Sequence, residues 1–321
     1  MQTIDRKALS LVILTYFLWG LFPLYFYQLS PANPFEVITY RAVFGLICCV
    51  LWLGIRGRLH ELRELSRRDI GWLLASGLLI GVNWTTYIYT VLTHNTIDAS
   101  IGYFINPLIT VLLGVVVLRE KLRSAYIVAL VLGIAAVAVL VIAHGRLPWT
   151  SLVLATSFGL YGLVKKQIAG RVRPVSGMLV ETVTLVPFAL AYYIPLLMRQ
   201  GSSVQLLWAQ DQQTAIVHFM LLAGSGLITM IPLIMFAMAS GNLPLSVIGL
   251  VQYLAPTMSF VIGLLVFHEA MPLARWIGVI IIWVAVFILI YDGLKGGNRP
   301  KFFPTNPSGL ATRPWWGRTA R

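Results

Sequence analysis

Hydrophobic residues in this chain come in ten long blocks separated by short polar connections. The blocks fall at about residues 8–28, 34–55, 70–91, 98–118, 125–143, 148–164, 175–197, 215–239, 244–267 and 273–291. Most are close to the roughly 20 residues that a helix needs to cross about 30 Å of hydrocarbon. None shows the alternation of a barrel strand. The connections carry turn residues, such as Ser30-Pro31-Ala32-Asn33-Pro34 and Ser240-Gly241-Asn242-Leu243-Pro244. The pattern predicts an all-α integral membrane protein with ten transmembrane helices.

Basic residues orient these spans. Arg6 and Lys7 precede the first block, and Arg56, Arg58, Arg63, Arg67 and Arg68 follow the second. Arg119, Lys121 and Arg123 follow the fourth, Lys165, Lys166, Arg171 and Arg173 the sixth, and six more lie beyond the tenth. These alternate connections lie on one side of the membrane, and the other side holds only Arg146 and Arg199. Positive charge stays in the cytoplasm, so both termini are expected there. Composition agrees: 58% of the 321 residues are hydrophobic and 11% charged, against about 25% charged in soluble domains. The net charge of +13 is then topological. It forms no soluble basic face for nucleic acid. Cys48 and Cys49 are adjacent in one block and read as small core residues. Arg6 and Lys7 lead into a first span rather than a cleavable signal, because no small-residue cleavage site follows. The basic stretch 293–321, with Trp315 and Trp316, reads as a disordered cytoplasmic tail that could rest on lipid headgroups.

The last five blocks look like a diverged copy of the first five. Shifting the chain by 149 residues places Pro107 on Pro256, Gly114 on Gly263, Val117 on Val266 and Glu120 on Glu269. Shifting by 141 places Ser10-Leu11-Val12, Thr15 and Phe17 on Ser151-Leu152-Val153, Thr156 and Phe158. Five crossings is an odd number, so the copies must sit upside down relative to each other. Inverted repeats characterise secondary transporters, whose site lies near the midplane between them. The expected organisation is a first five-helix repeat over 1–145 and a second over 146–292. Pro107 and Pro256 each remove a backbone N–H in mid-span. Such matched helix breaks either mark the site or are two packing kinks.

Very little charge lies at depth. Arg41 falls about 10 Å into the second span at 1.5 Å per residue. It either holds an electronegative group of a substrate, pairs with Glu36, or bonds to freed carbonyls. Glu181, in the seventh span, is the acid placed to take up a proton, or it makes a structural hydrogen bond. His218 lies near the outer end of the eighth span, and Glu120 and Glu269 read as caps or interfacial pairs. Asn83, Asn106 and Gln252 lie in spans, with Trp19, Trp84, Tyr40, Tyr87, Tyr103, Tyr161 and Tyr253 near them or in matching spans. Amides and aromatics around loosened helices suit an amphipathic organic solute. The same residue types also form interfacial belts and glue between helices. Gly77-xxx-Gly81 reads as a close helix contact. No metal-ligand spacing, HExxH, GxSxG or acidic pair is found, so neither an enzyme nor a cofactor is expected.

Several of these positions lie in stretches that resemble the RarD-type proteins of the EamA family, within the drug/metabolite transporter superfamily. They are Trp19-Gly20-Leu21-Phe22-Pro23-Leu24-Tyr25, Asn83-Trp84, Ser100-Ile101-Gly102-Tyr103-Phe104-Ile105-Asn106-Pro107-Leu108, Ser157-Phe158-Gly159-Leu160-Tyr161-Gly162, Glu181-Thr182, Pro232-Leu233 and Gln252-Tyr253-Leu254-Ala255-Pro256-Thr257. The resemblance spans roughly residues 7–292. It implies two EamA repeats, residence in the bacterial inner membrane, and export of small organic metabolites or drugs. The chain departs from the pattern at Tyr40, where members often have His, and at Asp98, where Glu is usual. The first departure removes a titratable group from the expected cavity. The combined expectation is a secondary transporter, possible proton coupling at Glu181 included. Its cavity would be lined by Trp19, Arg41, Asn83, Tyr103, Asn106, Tyr161, Gln252 and Tyr253. The alternative is an accessory membrane protein that transports nothing. Partners are a small solute and membrane lipids.

Overall fold

A computed structural model describes residues 6–118, 124–144, 148–168, 171–239 and 251–295. Glu120, the 240–244 connection and residues 296–321 of the basic tail lie outside the described residues. Helices account for most of the described chain, and no strand occurs among those residues.

The first apolar block is two helices, α1 (Arg6–Gly20) and α2 (Phe22–Tyr27), with a joint at Leu21. Pro23 has no N–H to donate to the preceding turn, so the helix restarts there. Next come α3 (Pro34–Ile55), a 3-10 turn at Leu59–Leu62, α4 (Arg67–Leu92), α5 (Thr96–Leu118) and α6 (Ser124–His144). The second half holds α7 (Trp149–Ile168), α8 (Pro174–Gln200), a short α9 (Ser203–Trp208), α10 (Gln212–Ala239), α11 (Leu254–Leu265) and α12 (Leu273–Lys295). Local chemistry explains the starts. Asn33 and Ser66 cap α3 and α4 through their side chains, and proline is the first residue of both α3 and α8, where a missing N–H costs nothing. By length and composition, Arg6–Tyr27, Pro34–Ile55, Pro174–Trp208 and Gln212–Phe236 can each cross a membrane.

The two matched prolines behave differently. α5 runs unbroken through Pro107, which forgoes one backbone bond, so the expected break there is absent. In the second half the chain turns at Gln252 and Tyr253, and Pro256 is the third residue of the helix that follows.

The most extensive helix contacts pair up under exchange of the first half for the second. Let α1 correspond to α7, α3 to α8, α4 to α10, α5 to α11 and α6 to α12. The contact α4–α7 is then matched by α10–α1, α5–α7 by α11–α1, and α3–α10 by α8–α4. The contacts α3–α8, α5–α11 and α6–α12 map onto themselves. The first helix of each half therefore packs on the other half.

Two clasps repeat this exchange in atomic detail. Beyond α3, Glu61 of the 3-10 turn accepts a 2.5 Å hydrogen bond from Ser176 Oγ at the start of α8. Beyond α8, the Ser203 backbone N–H donates to both oxygens of Glu36, at 3.2 Å each, at the start of α3. Glu36 and Ser176 are each the third residue of their helix, so acid and partner have traded places between the halves. Glu269, expected as a cap or interfacial pair, accepts from the Thr96 and Ile97 N–H groups at 2.6 and 2.8 Å and caps α5.

Small residues set the closest approaches. A Cβ at Gly77 would lie 3.0 Å from the Glu181 carbonyl, and one at Gly81 2.3 Å from Leu185, so α4 meets α8 along the expected Gly77-xxx-Gly81 face. A Cβ at Gly226 of α10 would sit 2.5 Å from the backbone nitrogen of Gly45 in α3.

Gly226→Ala forces two backbones apart and is expected to cost about 1–3 kcal/mol. Gly71→Ala, in α4 with nothing within 4 Å of the new Cβ, is expected to gain about 0.5–1 kcal/mol. Thermal unfolding in detergent checks both. The Glu61 clasp adds a pH dependence. Burial pushes its carboxyl up, but hydrogen bonds from Arg58, Ser176 and Arg173 and the Arg58 charge outweigh this and hold it below the ordinary range. A depressed carboxyl contributes stability above the unfolded value, about pH 4.3, and loses it as pH falls through the folded value. Glu61→Gln is therefore expected to flatten the fall of Tm on acidification in that window.

Candidate functional site

The sequence-predicted residues fall into separate groups. The first surrounds Arg41, seven residues after Pro34 at the start of α3. Its guanidinium lies 3.9 Å from the centroid of the Trp84 ring, 5.2 Å from Phe26 and 6.0 Å from Phe22. Those rings come from α2 and α4, and Tyr87 and Tyr103 lie within electrostatic reach. The side chain is 4% exposed, and neither Nε nor Nη1 has a hydrogen-bond partner. The buried Tyr87 hydroxyl, which faces Ser259 of α11, closes no hydrogen bond either. Glu36 does not pair with Arg41. Its carboxylate accepts from Ser203 and, at 3.1 Å, from Tyr193.

An arginine at membrane depth costs about 2.5–3.5 kcal/mol on insertion scales. Stacking on a desolvated indole returns about 2 kcal/mol. The faces of the guanidinium are thus partly compensated by aromatic rings, and its edges are not. Tyr40 packs against the same apolar cluster as Phe22, Phe26 and Tyr87, but its ring contacts are with other residues. Its ring stacks on Phe44 and meets Tyr193 and Phe219 edge-on.

A second group lies on the cytoplasmic side by the expected topology. Glu181 is seven residues after Pro174, the same step into α8 that Arg41 takes into α3. It accepts at 2.6 Å from Ser76 Oγ and at 2.6 Å from Lys165 Nζ, with the Tyr161 hydroxyl at 3.4 Å. Sequence reasoning placed Lys165 in a loop and left Glu181 alone. α7 continues to Ile168, however, and Lys165 stands one turn after Tyr161 on the same face. That four-residue spacing was the available signal. Ser76 and Phe26 carried none.

The amides serve largely as connectors. Asn83 donates to the Leu154 carbonyl at 3.0 Å and to Ser157 Oγ at 3.1 Å, and accepts from the Tyr103 hydroxyl at 3.0 Å. Asn106 donates to the Ala155 carbonyl at 3.1 Å. Both tie the first half to α7. Asn83 and Ser76 are seven residues apart on one face of α4, about 10 Å along the axis, so Tyr103 and Glu181 hang from the same helix face at two depths. The remaining residues lie at other helix contacts. Trp19 packs edge-on against Tyr16, with Phe236 of α10 at 5.9 Å. Tyr253 stacks on Phe104 of α5, and Gln252 stands partly exposed in the turn before α11. Arg275, near the start of α12, forms an ion pair with Asp98 at 3.1 Å and donates to the Ala270 carbonyl. Among the described residues no group of three His, Cys, Asp or Glu side chains could hold a metal.

A helical bundle with four described helices long and apolar enough to cross a membrane, and a buried cation among aromatic rings, has the make-up of an integral membrane protein. The EamA-like transporter family matches residues 6–142. Protein RarD of Streptomyces exfoliatus is 42% identical over 292 residues, covering 89% of each chain. Protein RarD of Escherichia coli K12 is 33% identical, covering 92% of this chain and 97% of its own. The uncharacterized transporter YojE of Bacillus subtilis is 34% identical, covering 90% and 95%. One solved crystal structure aligns with a TM-score of 0.58 over 90% of this chain and 99% of its own, at 16% identity, a likeness of fold alone. The chain belongs to the RarD-type proteins of the EamA-like transporter family. It is a multi-pass membrane transporter of the bacterial type.

Lys165→Met would strand the Glu181 carboxylate. The lysine side chain is 31% exposed and the glutamate 7%. The expected loss is therefore about 1–3 kcal/mol, below that of a fully buried pair. Lys165→Met combined with Glu181→Met is expected to recover most of it, which a double-mutant cycle on Tm in detergent would show.

Proposed function

We propose that this protein is a secondary transporter that exports small organic solutes across the inner membrane by alternating access. In this reading the chain crosses ten times as two inverted five-helix repeats, 1–145 and 146–292, with both termini and the tail in the cytoplasm. The exchange symmetry of the helix contacts and the two mirrored clasps support the repeat. Export is taken from the family resemblance.

The observation that carries the site is Arg41, a buried guanidinium with unpartnered N–H groups in a cage of aromatic rings. It orients an electronegative group of the solute, and Trp84, Tyr87 and Tyr103 form the wall. Asn83 and Asn106 act mainly through α7, positioning Tyr103 and the helix that packs against it. Tyr161 and Glu181 form the inner end of the path, and Trp19, Gln252 and Tyr253 lie where α1 and α11 meet the other half. Because α7 packs on α4 and α5, and α1 on α10 and α11, the moving bodies are packed groups that cross the sequence repeats. Proton coupling in this reading belongs to Glu181, whose carboxylate holds Lys165 and Ser76.

Purified protein in liposomes tests this reading. Saturable counterflow of at least one solute from a broad metabolite panel is expected, and Arg41→Ala is expected to abolish it with folded protein retained. Absence of counterflow across the panel favours an accessory protein without transport activity. Unchanged flux in Arg41→Ala removes Arg41 from the site.

A further inference from the structure

Resting on the transporter reading, we infer that the Arg41 site selects organic monoanions, a single carboxylate on an apolar or aromatic body, and rejects zwitterions and cations. The argument begins with charge. Among the described residues Glu36, Glu181, Asp98 and Glu269 are each engaged away from Arg41. Glu36 holds Ser203 and Tyr193, Glu181 holds Lys165 and Ser76, Asp98 holds Arg275, and Glu269 caps α5. On the cytoplasmic side Asp69 pairs with Arg171, and Glu61 with Arg58 and Arg173. Lys165 and Arg275 each have a carboxylate, and Arg41 has none.

Donor geometry points the same way. Nε and Nη1 carry three N–H bonds between them, all unused, and the unpartnered Tyr87 hydroxyl stands in the same cluster. A neutral amide or ether oxygen would satisfy one or two of these donors and leave the charge. A carboxylate offers about four lone-pair sites and the missing countercharge. The walls are Phe22, Phe26, Trp84 and Tyr103, so the remainder of the ligand meets rings. A ligand ammonium would need an acceptor of its own. The acids are committed, and the cage already faces one cation, so an amino acid or a cationic drug would set a second positive charge beside Arg41.

Four probes on one phenylmethyl body test this on the full-length protein in detergent: phenylacetate, phenylacetamide, phenylalanine and phenethylammonium. Binding is read from tryptophan fluorescence and from Tm. Phenylacetate is expected to bind saturably and raise Tm, with the other three weaker by at least about tenfold, the effect of one charge-assisted hydrogen bond. Arg41→Met is expected to lose phenylacetate binding by a similar factor while its unliganded Tm holds or rises, because a charge without a partner has been removed. Tyr87→Phe, which keeps the ring, is expected to weaken the anion alone. Equal binding of the amide, or tighter binding of phenylalanine or the cation, overturns the inference. So does an Arg41→Met protein that unfolds at lower temperature and still binds phenylacetate. A lipid headgroup carries the same anionic chemistry, so phosphatidylglycerol is titrated separately. Arg41-dependent stabilisation by the lipid that phenylacetate cannot compete away overturns a solute site. Arg41-dependent counterflow of a neutral or cationic solute overturns anion selectivity and leaves the transporter reading intact, whereas no flux of any solute removes the transporter reading itself.

Discussion

In hydrocarbon there is no water to complete a hydrogen bond or to screen a charge, so each polar group must be answered from within the protein. This requirement organises the described structure. Helix starts that would leave bare N–H groups are closed by Asn33, Ser66, Glu269 and Glu36. Hydroxyls fold back on the carbonyl a turn earlier, as at Thr15, Thr86 and Thr182. The described acids at depth hold a cation or a row of donors. Against that background Arg41, a cation at depth with no carboxylate partner among the described residues, is the group on which the proposed site rests.

The same requirement explains why the two halves interlock. A polar side chain on one helix can be satisfied only by a close neighbour, and many of the connectors run between halves. Asn83 and Asn106 reach α7, Ser176 reaches Glu61, and Glu269 reaches α5. A helix pair such as α3–α10 comes together at glycine because its backbones nearly touch at Gly226. In the proposed cycle, motion between packed bodies leaves these contacts whole and runs along faces built from rings, such as Phe104 on Tyr253, which can slide without stranding a polar atom.

Much of the architecture was legible in the chain. Apolar block length marked helices that the structure places within a few residues, apart from the ninth block, whose described helix starts only at Leu254, and the Gly77-xxx-Gly81 spacing marked a real contact. The charged depth of Arg41 and Glu181 could be counted from their helix starts, because rise per residue is constant. Three things were not legible. The joint at Leu21 depends on a proline one turn from the end of an apolar run, where a continuous helix reads equally well. The integrity of α5 at Pro107 depends on packing that sustains the helix despite one lost bond. The partners of Glu181 depend on α7 continuing past its apolar stretch to Lys165.

What the sequence determined by itself is most of the described helices and their polar exceptions, since these follow from hydropathy and spacing along one chain. Which polar group meets which was decided only by the tertiary structure. Glu36 and Arg41 lie five residues apart on α3, close enough to suggest a pair, yet they face different helices and only Glu36 finds partners. Pairing is a matter of direction around a helix and of what the neighbouring helix presents there, and neither is written in the spacing of one segment.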